Sequence, residues 1–305
     1  MTMAVTKAVT TTDFSGFLKP EMAEAYFEDI KRVSAVQQMV RQVPLGASGI
    51  EVPVVTSKAT AKWVAEGAKK ESTNAGLGLK TMKPMKIAAI VPVSAEVVRS
   101  NPGNFMSLVR DQVAEAIAEA FDAAVLHGTN SPFGANQALT NTGKTVALGT
   151  AADNKGGMFA DLNSGLDLLV KDDKELTGFL FDPYAEPKLN TSVDTTGRPL
   201  FISAPTQDTA SPVRSGSVLS RPALFAKGVR NGVGVGNVVG FGGDFSKAIW
   251  GTVGGISYDV STEATVTING QLTSLWENNL VALRVEAEYG WLLHDKDAFV
   301  KYTIK

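Results

Sequence analysis

Apolar and polar residues alternate with two different periods along the chain, and each period predicts a class of element. Between Asn104 and His127 the apolar residues recur every three or four positions, which is the period of one helix face. This spacing predicts a long helix with Asn104 as its N-cap and Gly128 at its end. Its apolar face comprises Phe105, Leu108, Val109, Val113, Ile117, Phe121 and Val125.

Other helical segments are predicted from capping residues and from the same period. Pro20 occupies the first-turn position that proline favours, and this predicts a short helix from residue 20 to about residue 31. A second amphipathic helix is predicted for 158–170, followed by a capped helical turn over 182–189. In the helix 158–170, the residues predicted to face inward are Phe159, Leu162, Leu166, Leu169 and Val170.

A period of two, or a short apolar run between turn residues, predicts the strands. The clearest alternation lies between Val281 and Tyr289, and a similar pattern follows at Val300, Tyr302 and Ile304. Strands together with one long helix predict an α+β fold. The further strands or extended segments are predicted at 33–43, 50–55, 87–97, 179–181, 256–260 and 265–270.

Residues 56–86 form a long segment with too few large apolar residues for a core of its own. Seven lysines face two glutamates there, which gives the segment a local charge of +5. Ordering each residue costs about 1–2 kcal/mol, and a loop this long is usually functional or disordered. Two interpretations stay open, namely a solvated flexible loop or an arm that becomes ordered on another subunit.

The polar face of the predicted long helix is acidic. Residues 104–126 contain four acids and one arginine, which gives a local charge of −3. A di-metal helix is excluded, because the Glu-x-x-His partners that such a site needs do not occur in the sequence. We interpret the acids as a solvated or interface face, called the acidic stripe, which comprises Asp111, Glu115, Glu119 and Asp122.

Composition excludes several classes of function. The 29 basic and 31 acidic residues leave a net charge of −2, so no global positive field gathers nucleic acid. The chain has no cysteine, which excludes thiol catalysis, disulfides and cysteine-based zinc sites. The longest apolar run, 87–93, is far shorter than the about 20 residues that a membrane-spanning helix needs. Residues 1–12 lack the apolar core of a signal peptide, and we expect no membrane partner.

No catalytic or cofactor motif is complete. The segment 228–255 contains 10 of the 29 glycines, but the dinucleotide fingerprint fails at Asn237 and Val239, where it needs glycine. A phosphate loop ending at Gly143-Lys144-Thr145 fails at Ala138, and the sequence around Asp295 lacks the glycine and glutamate of an EF-hand. We therefore expect a protein that is not an enzyme and that holds no cofactor and no metal.

Three stretches, in their order and spacing, resemble the major capsid proteins of tailed bacteriophages, which have the Hong Kong 97-like fold. The first is Trp63-Val64-Ala65-Glu66-Gly67 followed by a lysine-rich run and the segment 86–94, which is similar to the family's extended loop (E-loop) and its returning strand. The second is Gly243-Asp244-Phe245-Ser246, and the third is the pair of closing strands, 283–291 and 295–300. The match spans roughly residues 30 to 305.

The resemblance implies a division of the chain into an arm, a loop and two domains. Residues 1–49 would form an N-terminal arm with a short helix, and residues 50–92 would form the E-loop. The peripheral domain would comprise 93–139, with the long helix as its spine helix, and the C-terminal strands in 275–305. Residues 140–274 would form the axial domain, which gathers around the five- and six-fold axes of a shell.

The resemblance also implies that the E-loop reaches over a neighbouring subunit. We hypothesise that its lysines meet the acidic stripe on the neighbour's spine helix, because the two segments have opposite charges. The residues expected at contacts between subunits are Lys58, Lys62, Trp63, Glu66, Lys69, Lys70, Lys80, Lys83, Asp111, Glu115, Glu119 and Asp122.

Two properties of some family members are weighed separately. Some begin with a scaffolding region of about a hundred residues; here the E-loop begins near residue 56, which favours a separate scaffolding protein. Some cross-link an E-loop lysine to a neighbour's asparagine with help from a glutamate. Lys69, Lys70 and Lys80, with Asn278 or Asn279, supply the residue types, but nothing fixes a pairing and we expect no cross-link.

The function implied is that of a major capsid protein, which closes as pentamers and hexamers into an icosahedral head around double-stranded DNA. Further partners would be a portal and decoration proteins, with the DNA contacted non-specifically. The protein would assemble in the bacterial host cytoplasm and reside in the virion. The closest alternative is an encapsulin-type compartment, in which the same fold encloses a protein cargo. An alternative from a different class is a soluble ligand-binding protein or hydrolytic enzyme.

Overall fold

A computed structural model describes residues 34–57, 59–67, 69–70, 72–73, 75–100, 105–152, 157–191, 201–203, 214–232 and 234–305. The predicted N-terminal helix at 20–31 and the predicted cap Asn104 lie outside these ranges. The helices are α1 (Ala35–Met39), α2 (Ala95–Ser100), α3 (Phe105–His127), α4 (Gly157–Val170) and α5 (Glu186–Thr191).

The strands occur in runs between and after these helices and confirm a mixed α and β architecture. The first nine are β1 (Arg41–Gln42), β2 (Ile50–Ser57), β3 (Gly76–Met82), β4 (Met85–Ser94), β5 (Thr145–Leu148), β6 (Gly178–Phe181), β7 (Phe201–Ser203), β8 (Arg214–Val218) and β9 (Arg221–Phe225). The remaining seven are β10 (Val238–Gly243), β11 (Ala248–Thr252), β12 (Ser257–Ser261), β13 (Thr265–Ile268), β14 (Gln271–Ser274), β15 (Leu280–Leu293) and β16 (Phe299–Ile304).

The long strand β15 organises the first sheet. It pairs antiparallel with β4 along one edge. Along the other edge, β12 pairs with residues 282–286 of β15 and β11 pairs with residues 289–293, both antiparallel. Strand β1 pairs with β11 in parallel. Helix α3 covers this sheet with the apolar face that its period predicts: Val109, Val113, Ile117, Phe121 and Val125 are all buried. The ring of Phe121 lies 5.1 Å from that of Tyr289, which joins helix and sheet.

A second sheet has the order β5-β16-β10-β6-β9-β8-β7 and its own core. Helix α4 packs on it so closely that Gly165 is needed, because a Cβ atom there would lie 2.3 Å from the hydroxyl of Tyr302. Every residue of β6 is buried, as its short apolar run predicts. Two further pairs, β2 with β3 and β13 with β14, form separate two-stranded sheets.

Several predicted elements differ from the structure. The segment 33–43 was expected to be extended, but residues 35–39 are helical because the side chain of Ser34 caps the helix by accepting from the amide of Gln37. The strand expected over 87–97 ends at Ser94, where α2 follows. In α4, Phe159 and Val170 are exposed rather than inward, since helical spacing places them off the face formed by the buried Met158, Leu162, Gly165 and Leu169.

Sheet membership crosses two of the predicted domain boundaries. Strands β11 and β12 fall within the predicted axial segment 140–274, yet both pair with β15. Strand β16 falls within the predicted peripheral segment 275–305, yet it pairs with β10 and β5 in the second sheet. Pairing between strands that are distant in the sequence decides which sheet each strand joins. A division of the chain into consecutive segments cannot express such pairing.

Candidate functional site

A hairpin of β2 and β3 forms an arm, defined here as residues 50–82. The two strands pair from Ile50 with Met82 to Ser57 with Gly76, and among the described strands they pair only with each other. The base of the arm is anchored in a small core that contains Leu45, Met82 and Leu292. An isolated two-stranded hairpin is marginally stable in water, so this anchor fixes the arm to the body.

One face of the arm is apolar and uncovered. Alternation places Pro53, Val55, Leu77 and Leu79 on the same side of the hairpin, where Val55 is paired with Leu77 and Pro53 with Leu79. Leu77 is 75 % exposed and Leu79 is 66 % exposed. We call these four residues the arm's apolar face. An apolar surface of this kind, exposed along a hairpin, is typical of a binding surface.

The tip of the arm, residues 59–75, contains the most exposed aromatic side chain among the described residues. Trp63 is exposed at 105 % of its reference area, so no other described residue covers it. The loop is closed by the hydroxyl of Thr73, which accepts a hydrogen bond from the amide of Thr60 at 2.9 Å. The tip therefore holds an aromatic side chain in solvent at the end of a closed loop.

The lysines predicted at subunit contacts have different environments. Lys62, Lys69, Lys70 and Lys83 are exposed, as is Glu66. Lys80 instead donates to the carbonyl of His294 at 2.7 Å, which ties the arm to the end of β15. Lys58 lies outside the described residues.

The acidic stripe on α3 is continuous for three residues and ends in a buried fourth. Glu115 and Glu119 are exposed and Asp111 is half-buried, whereas Asp122 is only 3 % exposed. The prediction that Asp122 belongs to an exposed stripe is therefore wrong. Helical spacing places it with the others, but α1 docks over the last turns of α3 and covers it.

Asp122 anchors the start of α1. Its carboxylate accepts from the hydroxyl of Ser34 at 2.6 Å and from the amide of Ala35 at 2.9 Å. Burial raises the pKa of Asp122 to about 6, because removing water from the carboxylate outweighs these hydrogen bonds. This contact was not predicted from the sequence. The one local sign of α1 was Ser34, a residue type that favours the N-cap position of a helix, three positions before Gln37.

A groove of about 750 Å³ lies beneath the arm, lined on the body side by charged residues. Lys174 and Asp295 form an ion pair at 2.5 Å there, and this hydrogen bond raises the pKa of Lys174. Burial, assisted by the nearby Lys80, lowers the pKa of His294. Two lysines that line the groove, Lys174 and Lys247, shift this pKa in the same direction.

The two candidate cross-linking asparagines have different neighbours. The amide nitrogen of Asn279 donates to the carboxylate of Glu96, and that of Asn278 donates to the carbonyl of Ser274 at 2.8 Å. Of the two, Asn279 is the one with a carboxylate beside it. The structure is of one subunit, so the expected absence of a cross-link stays a prediction.

The described residues offer neither a metal site nor a helix that could span a membrane. They contain no cluster of three His, Asp or Glu side chains that could hold a metal ion. No helix among them is both long and apolar enough to span a bilayer.

Comparison with known proteins gave consistent matches. A model described as "Phage capsid family" matches residues 15–304. The "Probable major capsid protein gp17" of Mycobacterium phage D29 is 42% identical over 296 residues, covering 96% of this chain and 91% of that protein. The protein of the same name from Mycobacterium phage L5 is 42% identical over 302 residues, covering 95% and 90%.

The fold has also been seen in solved structures. A chain from Gordonia phage Cozz superposes with a TM-score of 0.70 at 23% identity, covering 94% of this chain and 91% of that chain. At this identity the likeness shows a shared overall fold.

Proposed function

This chain belongs to the phage capsid family and is a major capsid protein of a tailed phage; on that premise we propose that its copies join through the arm. The observation that supports this most is the arm's apolar face, which no described residue of the subunit covers. Closed shells are built from repeated contacts between identical subunits. A neighbouring copy is therefore the partner that would cover this face in every position of the shell.

Charge supports the same arrangement. The arm contributes the exposed Lys62, Lys69 and Lys70, while a neighbour's α3 would contribute Glu115 and Glu119. Opposite charges at the rim of an apolar contact guide the approach of two subunits and fix their orientation more than they add affinity. Asp122, which was predicted to lie at this contact, takes no part in the proposed one, because it is buried within its own subunit.

The two sheets suggest an assignment to the two domains that the resemblance implies. We assign the first sheet with α3 to the peripheral domain and the second sheet with α4 to the axial domain. Under this assignment β11 and β12 belong to the peripheral domain, and β16 belongs to the axial domain. Pentamers and hexamers would form where axial domains meet.

The remaining partners follow from membership in a capsid family. We propose that the shell encloses double-stranded DNA, contacts it non-specifically, and needs a separate scaffolding protein and a portal, with decoration proteins as further partners. Assembly would take place in the host cytoplasm. The relatives at 42% identity are phage capsid proteins, which favours a genome-filled head over a cargo-filled compartment. Membership in a family of structural capsid proteins also favours a role without catalysis.

The proposal is tested by the size of the assembled particles. We expect the wild-type chain, co-expressed with its scaffolding protein, to form shells that electron microscopy and light scattering detect. The double substitution Leu77→Asp with Leu79→Asp should leave folded subunits that do not assemble, because two buried carboxylates would be desolvated at each contact. Val170→Asp, also an exposed apolar position, is the matched control. Assembly by the arm variant at wild-type concentration would contradict the proposal.

A further inference from the structure

An apolar pocket of about 330 Å³ opens beside the C-terminal half of α3. Its floor is aromatic: the ring of Phe121 lies 5.1 Å from Tyr289 and stands edge-on to Phe133 at 6.1 Å. Ala120 and Ala124 form one wall, and their small side chains leave the space open. A volume at the low end of the range for ligand pockets suits one large side chain better than a whole small molecule.

The subunit contains an aromatic side chain that fits this description and lies elsewhere. Trp63, at the tip of the arm, is left in solvent by all the residues that the structure describes. An indole packs favourably in tilted or edge-on contact with other aromatic rings, and tryptophan is among the residue types that dominate interface energies. A fully exposed Trp63 does not occupy the pocket of its own subunit.

The surroundings of Trp63 and of the pocket have complementary charges. Lys62, Lys69 and Lys70 line the same concave tip as Trp63. Beside the pocket, Glu119 lies one helical turn before Ala123, which lines it. Two further acids, Glu286 and Glu288, lie 3.3 and 3.9 Å from the ammonium group of Lys86, whose side chain also lines the pocket.

We propose that Trp63 of one subunit inserts into the pocket formed by Phe121, Phe133 and Tyr289 of a second copy. The contact is an aromatic anchor in an apolar pocket, surrounded by the tip lysines and by the acids beside the pocket. This inference rests on the proposed role of the arm in assembly and adds the residue and the pocket that meet. It also gives Glu119 a task, as one of the acids beside the inserted tip.

Two substitutions test the contact from opposite sides. Trp63→Ala removes the anchor, and Ala120→Trp fills the pocket from an exposed position of α3 without changing the core. We expect each to raise the concentration needed for shell assembly by more than about tenfold, as loss of an interface anchor does. The conservative Trp63→Phe should restore most of the assembly. Val170→Trp adds the same side chain to an exposed site on α4 and is the control.

The double variant separates this contact from other effects. If Trp63 and the pocket meet, combining Trp63→Ala with Ala120→Trp should be no worse than the more severe single variant, because both remove one contact. Multiplied effects would overturn the proposal. Sensitivity to Ala120→Trp alone would mean that another segment or molecule occupies the pocket, which also overturns it. If both single variants form shells as readily as the wild type, this contact alone is overturned. If the wild type itself forms no shells, the proposed function is overturned as well.

Discussion

The arm and helix α3 both display rows of apolar side chains, but the subunit treats them in opposite ways. Helix α3 buries the described part of its row, Val109 to Val125, against the first sheet, with Ile117 at 2 % and Phe121 at 3 % exposure. The arm leaves Leu77 and Leu79 in solvent. The difference separates two tasks within one chain: the row on α3 stabilises the subunit, and the row on the arm is available for a neighbour.

The largest effect that sharpens this contrast is expected from Phe121→Ala. Phe121 contacts the rings of Phe133, Trp250, Tyr289 and Trp291, so the truncation leaves a cavity at the centre of the helix–sheet interface. The free energy of unfolding of the unassembled subunit should fall by about 3–5 kcal/mol. Urea denaturation followed by circular dichroism measures this change.

The matched variant on the arm is Leu77→Ala. Leu77 is exposed in the subunit, so the same measurement should show a change within about 0.5 kcal/mol. A large loss of subunit stability in Leu77→Ala would mean that the arm's apolar face is covered within its own chain, and the contrast between the two regions would fail.

A smaller effect is expected at Asp122, which lies in line with the exposed acids of α3 but is itself buried. Its pKa is raised to about 6 in the folded chain, above the ordinary value of 3.8, so acidification favours the folded state through this group. Compared with Asp122→Ala, the wild-type subunit should gain unfolding free energy as the pH falls from about 7 to about 4, at most about 1.4 kcal/mol per unit of pKa difference.

The comparison is made by urea denaturation of both proteins at each pH. Subtracting the Asp122→Ala values removes the contribution of every other titrating group. An advantage of the wild type that shrinks on acidification would show that the hydrogen bonds from Ser34 and Ala35 outweigh the cost of burying the carboxylate.

Asp122 also shows which features were predictable from the sequence. The helical period of α3 and the alternation in β15 and β16 were sufficient to predict these elements, because both patterns depend on residues close in the chain. The resemblance then supplied the arm. The burial of Asp122 was not predictable, since Ser34 lies 88 positions away and helical spacing alone places Asp122 beside Glu115 and Glu119. The pairing of Lys80 with His294 and the crossed sheet memberships were missed for the same reason.

The smallest expected effect concerns the charges around the apolar contact. Replacing Lys69 and Lys70 by glutamate should weaken assembly several-fold, because exposed ion pairs contribute about 0.2–1 kcal/mol each. Adding Glu115→Lys and Glu119→Lys to that variant should restore assembly if arm and stripe meet, since the charges are then exchanged rather than lost. Assembly rates from light scattering at low and at higher salt measure both effects, and salt should reduce the difference between variants. Failure of the fourfold variant to recover, with each pair tolerated in the folded subunit, would separate the arm's lysines from the acidic stripe. The arm's apolar face would then account for the contact without them.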